Sequence, residues 1–274
     1  MIRRLALAAV VILPATVARA GFEEGRAAYE AKDYAVAYRE LRPAAEAGNA
    51  EAAFLVAVLY LGGDGVERDA SEAAKWFRRA AEQGHAGATV GLANLYIDGK
   101  GVKRDPAEAM RLIRPCAQRD DAKCQTLLGW MYRYGSGVII DYATAVEWFR
   151  RAADQGDALG QDNLANMYAL GLGVDKDLAT ALRWYRQAAE GGVATAQYNV
   201  ATILAKGEGG RHEIVEAYAW YELLLSRLDK RDRQRTVERA RDALARRMSA
   251  EEIERGKALA GELDARVKPL VKVQ

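Results

Sequence analysis

Four tyrosines stand 36 residues apart, at Tyr60, Tyr96, Tyr132 and Tyr168, and a whole frame of other residues recurs with them. Each is followed by Gly-x-Gly-Val: Gly63 to Val66, Gly99 to Val102, Gly135 to Val138 and Gly171 to Val174. Four residues after each second glycine comes an aspartate: Asp69, Asp105, Asp141 and Asp177. A fixed period of this length is the mark of a solenoid, whose units stack because none can bury its apolar face alone. The period therefore overrides the division into compact domains that 274 residues would otherwise suggest, and predicts one elongated array.

One unit, residues 52–87, shows how the array is built. Ala52, Val56, Leu59 and Tyr60 fall on one face of a first helix, A. Gly-x-Gly-Val ends it, because glycine accepts positive φ without a Cβ clash. Asp69 then caps a second helix, B, with Glu72 three residues on, in the pattern of a capping box. In the next unit Pro106 takes the first helical position, where a missing N–H is harmless. Helix B carries Ala73, Ala74, Trp76, Phe77, Ala80 and Ala81 and stops at Gly84. Helices of about three turns are not stable alone in water, so stacking must hold them.

In register, the units show columns that the fold reuses. Trp76, Leu112, Trp148, Trp184 and Trp220 form one; Phe77, Ile113, Phe149, Tyr185 and Tyr221 form the next. Ala57, Ala93, Gly129, Ala165 and Ala201 form a third, always small, where helices can approach closely. This frame resembles the Sel1-like repeat, a relative of the tetratricopeptide repeat, over about residues 52 to 225. Four copies are strong. A degenerate fifth keeps Gly207, Gly209 and Trp220-Tyr221 but has Leu204 and Gly210 where the tyrosine and valine would stand. The fold class so implied is all-α, a right-handed α-solenoid of stacked helix-turn-helix units. The expected organisation is a signal peptide (1–20), a shortened N-terminal tetratricopeptide-like unit (21–51), five Sel1-like units (52–228), and C-terminal capping helices and tail (229–274) with a capping box at Ser249 and Glu252.

The leader is read from Arg3 and Arg4, the apolar run Leu5–Leu13 and the Ala18-Arg19-Ala20 cleavage site; nine apolar residues are too few to span a bilayer. The expectation is a periplasmic or secreted chain without a transmembrane segment. Removing Arg3, Arg4 and Arg19 from the 40 basic residues leaves 37 against 38 acidic ones, a net charge of −1, which argues against nucleic acid as a partner. One basic run, Arg227 to Arg247, is interleaved with acids. It reads as a solvated helix face with Asp229–Arg233 and Asp242–Arg246 pairs, the alternative being weak contact with an acidic partner or a membrane surface.

Cys116 closes one B helix and Cys124 opens the next A helix, in columns otherwise held by alanine or glycine. Small residues there imply close backbone approach, as a disulfide requires, and export favours oxidation. The spacing is similar to that of cysteine-rich secreted Sel1-like proteins. A Cys116–Cys124 disulfide is expected, with buried thiols as the alternative. Pro115 inside the same helix B would weaken it.

No residue pattern for catalysis, a metal or a cofactor emerges. With two histidines, neither near the cysteine pair in sequence, zinc has too few ligands. His85 shares its column with Asp121, Asp157 and Val193 and reads as a solvated turn, as does His212. The Gly-x-Gly loops lack the strand and the Lys-Ser/Thr of a phosphate cradle. The resemblance extends to cysteine-rich proteins described as β-lactamases, but Ser-x-x-Lys, Ser-Asp-Asn and Lys-Thr-Gly are absent. The resemblance implies an exported, non-catalytic scaffold of the bacterial periplasm or envelope that binds a protein or peptide on its concave A-helix face. A β-lactamase-like hydrolase and a secreted effector that binds a host protein are the alternatives. The variable A-helix columns are Phe54, Val58, Leu61; Val90, Asn94, Ile97; Thr126, Trp130, Arg133; Asp162, Asn166, Ala169; and Tyr198, Thr202. The expected partner-binding residues are Asn94, Trp130, Arg133, Asp162, Asn166 and Tyr198, with Trp130 and Arg133 central. The alternative for Trp130 is packing on a neighbouring helix.

Overall fold

The structure, a computed structural model, describes residues 15–207, 213–228 and 231–269, without the side chains of 15–20 and 231–233. The expected leader's apolar run, His212, and the Asp229–Arg233 pair lie outside what is described. The described residues form fourteen helices and no strand. None is long and apolar enough to cross a membrane. The chain divides into two compact units, Met1–Leu112 and Ile113–Gln274.

In the first unit α1 (Ala15–Glu30), α2 (Tyr34–Glu46), α3 (Ala50–Gly62), α4 (Ala70–Glu82) and α5 (Ala86–Asp98) pack each on the next. α6 (Pro106–Gln118) begins in this unit and ends in the second. The second unit continues with α7 (Ala122–Tyr134), α8 (Tyr142–Asp154), α9 (Ala158–Leu170), α10 (Leu178–Glu190), α11 (Ala194–Lys206) and α12 (Ile214–Arg227), again packed in chain order. α13 (Arg231–Ala245) and α14 (Ala250–Arg266) both lie on α12. The odd-numbered helices α3 to α11 are the A helices and α4 to α12 the B helices, 13 residues each except for the 14 of α12.

Local chemistry sets each boundary. Every A helix ends on a left-handed glycine, with φ between 69° and 75° at Gly63, Gly99, Gly135, Gly171 and Gly207. The aspartate column caps every B helix from Asp69 to Asp177 by accepting backbone N–H groups of the first turn. Asp33 does the same for α2, in the same register, so this helix is a complete B helix. The loops are pinned at the tyrosine column: the amides of Asp69, Asp105, Asp141 and Asp177 donate to the carbonyls of Tyr60, Tyr96, Tyr132 and Tyr168. Arginines 18 residues upstream complete the pattern, with Arg78, Arg114 and Arg150 donating to the hydroxyls of Tyr96, Tyr132 and Tyr168.

The core follows the columns. Phe77, Ile113, Phe149, Tyr185 and Tyr221 are buried, as are Ala57, Ala93, Gly129, Ala165 and Ala201. The tryptophan column is less uniform than the repeat implies. Trp76 and Trp220 are buried, whereas Leu112, Trp148 and Trp184 are half-buried. The guanidiniums of Arg79 and Arg151 lie over the Trp76 and Trp148 rings at 4.5 and 4.7 Å. The basic run is also put to structural use. Arg227 donates to Asp264 and to the carbonyls of Asp264, Val267 and Lys268, tying α12 to the end of α14. The expected Asp242–Arg246 side-chain pair is replaced by Asp242 with Arg241, which also reaches Glu222. Arg239 and Arg246 are exposed.

Candidate functional site

In the second unit, the variable faces of α9 and α11 meet α12 and α13 around a cavity of about 510 Å³. Three of the expected binding residues line it: Asp162 and Asn166 from α9, and Tyr198 from α11. Thr195 and Asn199 add polar groups, and Ala194, Leu224, Leu228 and Val237 form an apolar wall. Asp162 occupies a column whose other members are Phe54, Val90, Thr126 and Tyr198, so no shared packing role fixes an acid there.

Asp162 departs from the exposed groove residue expected of it: its relative exposure is 9%. One carboxylate oxygen, Oδ2, accepts from the Thr195 hydroxyl at 3.1 Å. The other, Oδ1, is buried and has no hydrogen-bond partner. Burial pushes the carboxyl up to about 6, against the opposing pull of Thr195 and of the Arg133 charge. Asn166 is held from both ends, donating its amide to the Asp162 carbonyl at 2.7 Å and accepting from the Tyr185 hydroxyl at 3.0 Å. Burial raises the Tyr185 phenol, and the Asp162 charge adds to it. Tyr198 leans on Tyr221, ring centroids 5.8 Å apart. A buried acid with an orphaned oxygen is a destabilising arrangement unless something else uses it.

The other expected residues are placed differently. Trp130 is half-buried on α7 and packs against the core cluster that α8 and α9 form, as its packing alternative expected, with its ring 4.8 Å from that of Tyr134. Arg133 is half-buried, donates to Asn163 at 3.3 Å and lies 5.1 Å from the Tyr134 ring. Asn94 is exposed on α5 in the first unit. Two variable-column residues of that unit serve packing instead: Ile97 is buried, and Phe54 sits 4.6 Å from the His85 ring, stacked on it. His85 itself is no solvated turn. Its Nδ1 accepts from the Ala88 amide at 3.0 Å as the N-cap of α5, and its Nε2 meets Glu51 at 2.8 Å. Its column is the cap column of the A helices, since Asn49, Asp121 and Asp157 accept first-turn amides in the same way.

Other features escaped the sequence reading. Gln125, Gln161 and Gln197 recur every 36 residues, are buried, and donate to the carbonyls of Ala117, Ala153 and Ala189. That period was a visible signal. The loop after α7 exposes Ile139 (87%) and Ile140 (52%). The matching positions elsewhere are Glu67-Arg68, Lys103-Arg104 and Asp175-Lys176, so the apolar pair breaks the register. Cys116 and Cys124 are joined, with Cα atoms 5.8 Å apart. Asp121 lies beside them and is engaged as the N-cap of α7 through the Cys124 amide.

The Sel1 repeat family matches this chain five times over, at residues 50–85, 86–121, 122–157, 158–193 and 194–225. Among solved structures, a Sel1 repeat protein from Oxalobacter formigenes is similar, with 28% identity and a TM-score of 0.69 over 88% of this chain and 99% of that one. An immunity protein from Pseudomonas aeruginosa shares the fold at 22% identity, with a TM-score of 0.53 over 82% of this chain and 87% of its own. No curated protein sequence matches. The repeated frame, the helix pairs and these matches agree: the chain belongs to the Sel1 repeat family, all-α solenoids of the tetratricopeptide-like superfamily.

Proposed function

We propose that the chain is an exported, non-catalytic adaptor that holds a polypeptide at the cavity between α9, α11, α12 and α13. Sel1 repeats generally serve as protein-binding scaffolds. The observation that carries the assignment to this cavity is Asp162: a buried carboxyl with one unsatisfied oxygen, in a variable column, at the edge of a partly apolar recess. The wall offers one carboxyl and amide, hydroxyl and aliphatic groups. Among the described residues no histidine, second acid or thiol stands with it to supply acid–base or nucleophilic chemistry, which supports binding over turnover. Export rests on the leader read from Arg3 to Ala20.

A photoactivatable residue at Asn199, inside the cavity, and another at exposed Asn94, in intact cells, test the adaptor reading. A discrete protein adduct from position 199 is expected. Adducts from position 94 only would reject the cavity as the binding site. N-terminal sequencing of the periplasmic or secreted protein should begin at Gly21; a cytoplasmic chain retaining Met1 would end the export claim. Hydrolysis of a chromogenic β-lactam by the purified protein would reject the non-catalytic reading.

A further inference from the structure

We propose that two copies of this chain pair through an apolar edge of the second unit, formed by the end of α7, the loop that follows it, the start of α8 and the end of α9. The pairing is independent of the cavity at Asp162 and gives the molecule a second surface of contact.

This edge is where the repeat departs from its own frame. Among the described residues, the large apolar side chains that stand exposed are Tyr134, Ile139, Ile140, Tyr142 and Leu170. Tyr134 and Leu170 are the last residues of α7 and α9, in a column whose other members are Gly62, Asp98 and Lys206. Ile139 and Ile140 stand where the loops before and after carry Lys103-Arg104 and Asp175-Lys176. Those loops close the same turn with charged side chains, so the fold itself does not require apolar ones. The five also lie together. Ile140 folds back over Gly135, where a Cβ would stand 2.9 Å from its Cγ1, one residue from Tyr134. The loop that follows Leu170 rests, at Gly173, on the backbone of Tyr142.

Area and charge select a second copy as the occupant. At these exposures the five side chains offer on the order of 500 Å², at the upper end of what a monomer leaves to water in one patch. Two copies meeting there would bury about 1,000 Å² in all, the least that a specific pair needs. The charged groups around the edge are Arg133, Asp141, Asp175 and Lys176, two of each sign. An anionic bilayer would be met by a basic rim, and a strongly charged protein by a rim of the opposite sign. A rim of both signs is matched by itself. A two-fold axis through the patch sets apolar surface on apolar surface and lets Lys176 of one copy face an acid of the other.

Sedimentation velocity of the purified full chain from about 1 to 300 µM tests the pairing. The mean mass should rise from one chain toward two, with a dissociation constant of roughly 10–100 µM for an interface this small. The diagnostic variant carries Ile139→Asp and Ile140→Lys together. It copies the Asp175-Lys176 loop and so keeps a turn this fold already makes. It should associate at least tenfold more weakly, with an unchanged helix spectrum and an unchanged Tm, because at the few micromolar of a melt both proteins are single chains. A native chain that stays single throughout, a pair that the double variant retains, or association that continues past two copies would overturn the proposal. Flotation with phosphatidylglycerol vesicles covers the remaining occupant. Lipid binding by the single chain that the double variant loses would assign the edge to a membrane surface and overturn the pairing.

Discussion

Replacing Gly173 and Gly156 with alanine should have different consequences, although both glycines are left-handed. Their φ angles are 72° and 82°. An alanine at either site incurs the left-handed penalty of about 1–2 kcal/mol. At Gly156 a built Cβ meets nothing within 4 Å, so that penalty should be the whole effect. At Gly173, the second glycine of its Gly-x-Gly-Val loop, the Cβ would stand 2.5 Å from the carbonyl carbon and oxygen of Tyr142 and 2.7 Å from the Ala143 amide. Those are backbone atoms at the start of α8, and they cannot rotate away. Relieving such an overlap typically adds about 1–3 kcal/mol. Gly173→Ala should therefore be the less stable of the two by about that amount, a further drop of roughly 2–12 °C in Tm for a chain of this size. Thermal unfolding followed by helix circular dichroism, at one scan rate for all proteins, measures it. Equal Tm values for the two variants would refute the argument that the second glycine is there to admit a neighbouring helix end. Gly65 and Gly101 stand in the same relation to Tyr34 and Ala70, at 2.3 and 2.2 Å.

Four further outcomes are expected. Asp162→Asn should stabilise the protein at pH 7 and above by up to about 3 kcal/mol. The folded carboxyl is raised from 3.8 to about 6, so the acid form's relative stability is present below pH 4 and lost as pH rises through 6. Urea unfolding of both proteins from pH 4 to 8 should show the gap opening over that window, and a constant gap would contradict it. His85→Ala should lose about 1 kcal/mol with the α5 cap, and His85→Asn should recover most of it; equal loss in both would mean that the stack on Phe54, not the cap, is what matters. Reducing the Cys116–Cys124 link should lower stability by about 2–3 kcal/mol, given the short loop it closes, and free thiols in the protein as isolated from its native host would remove the premise. Ile139→Asp should leave Tm unchanged within error, since the side chain is 87% exposed; a large loss would show that the loop packs on something.

The period made the frame legible. Identical columns need identical neighbours, so Phe149 and Ala165 could be placed in the core, and Asp177 at a cap, from spacing alone. The mixed column Asn49, His85, Asp121, Asp157 and Val193 hid its role because a cap asks only for an acceptor. Several side chains supply one, and α11 forms with Val193 offering none. The half-burial of Trp148 was invisible for a related reason: a ring covered by Arg151 occupies the same register as one covered by the core. At the candidate site, spacing brought Asp162, Asn166 and Tyr198 onto variable faces. It could not reveal the recess, because Val237 belongs to α13, outside the repeat. Thr195, 33 residues beyond Asp162, was likewise not marked by any column logic.

The buried glutamines carry a consequence for how such a chain can lengthen. Gln161 and Gln197 each fasten the start of an A helix to the last turn of the B helix before it, through the Ala153 and Ala189 carbonyls. The fastener is the same at both seams. A duplicate of residues 158–193 spliced in before Ala194 would bring its own Gln and would offer the next one an equivalent carbonyl. Growth by whole 36-residue modules therefore keeps the glutamine-to-carbonyl bond at each seam, while a half-module would present a B helix where an A helix must dock.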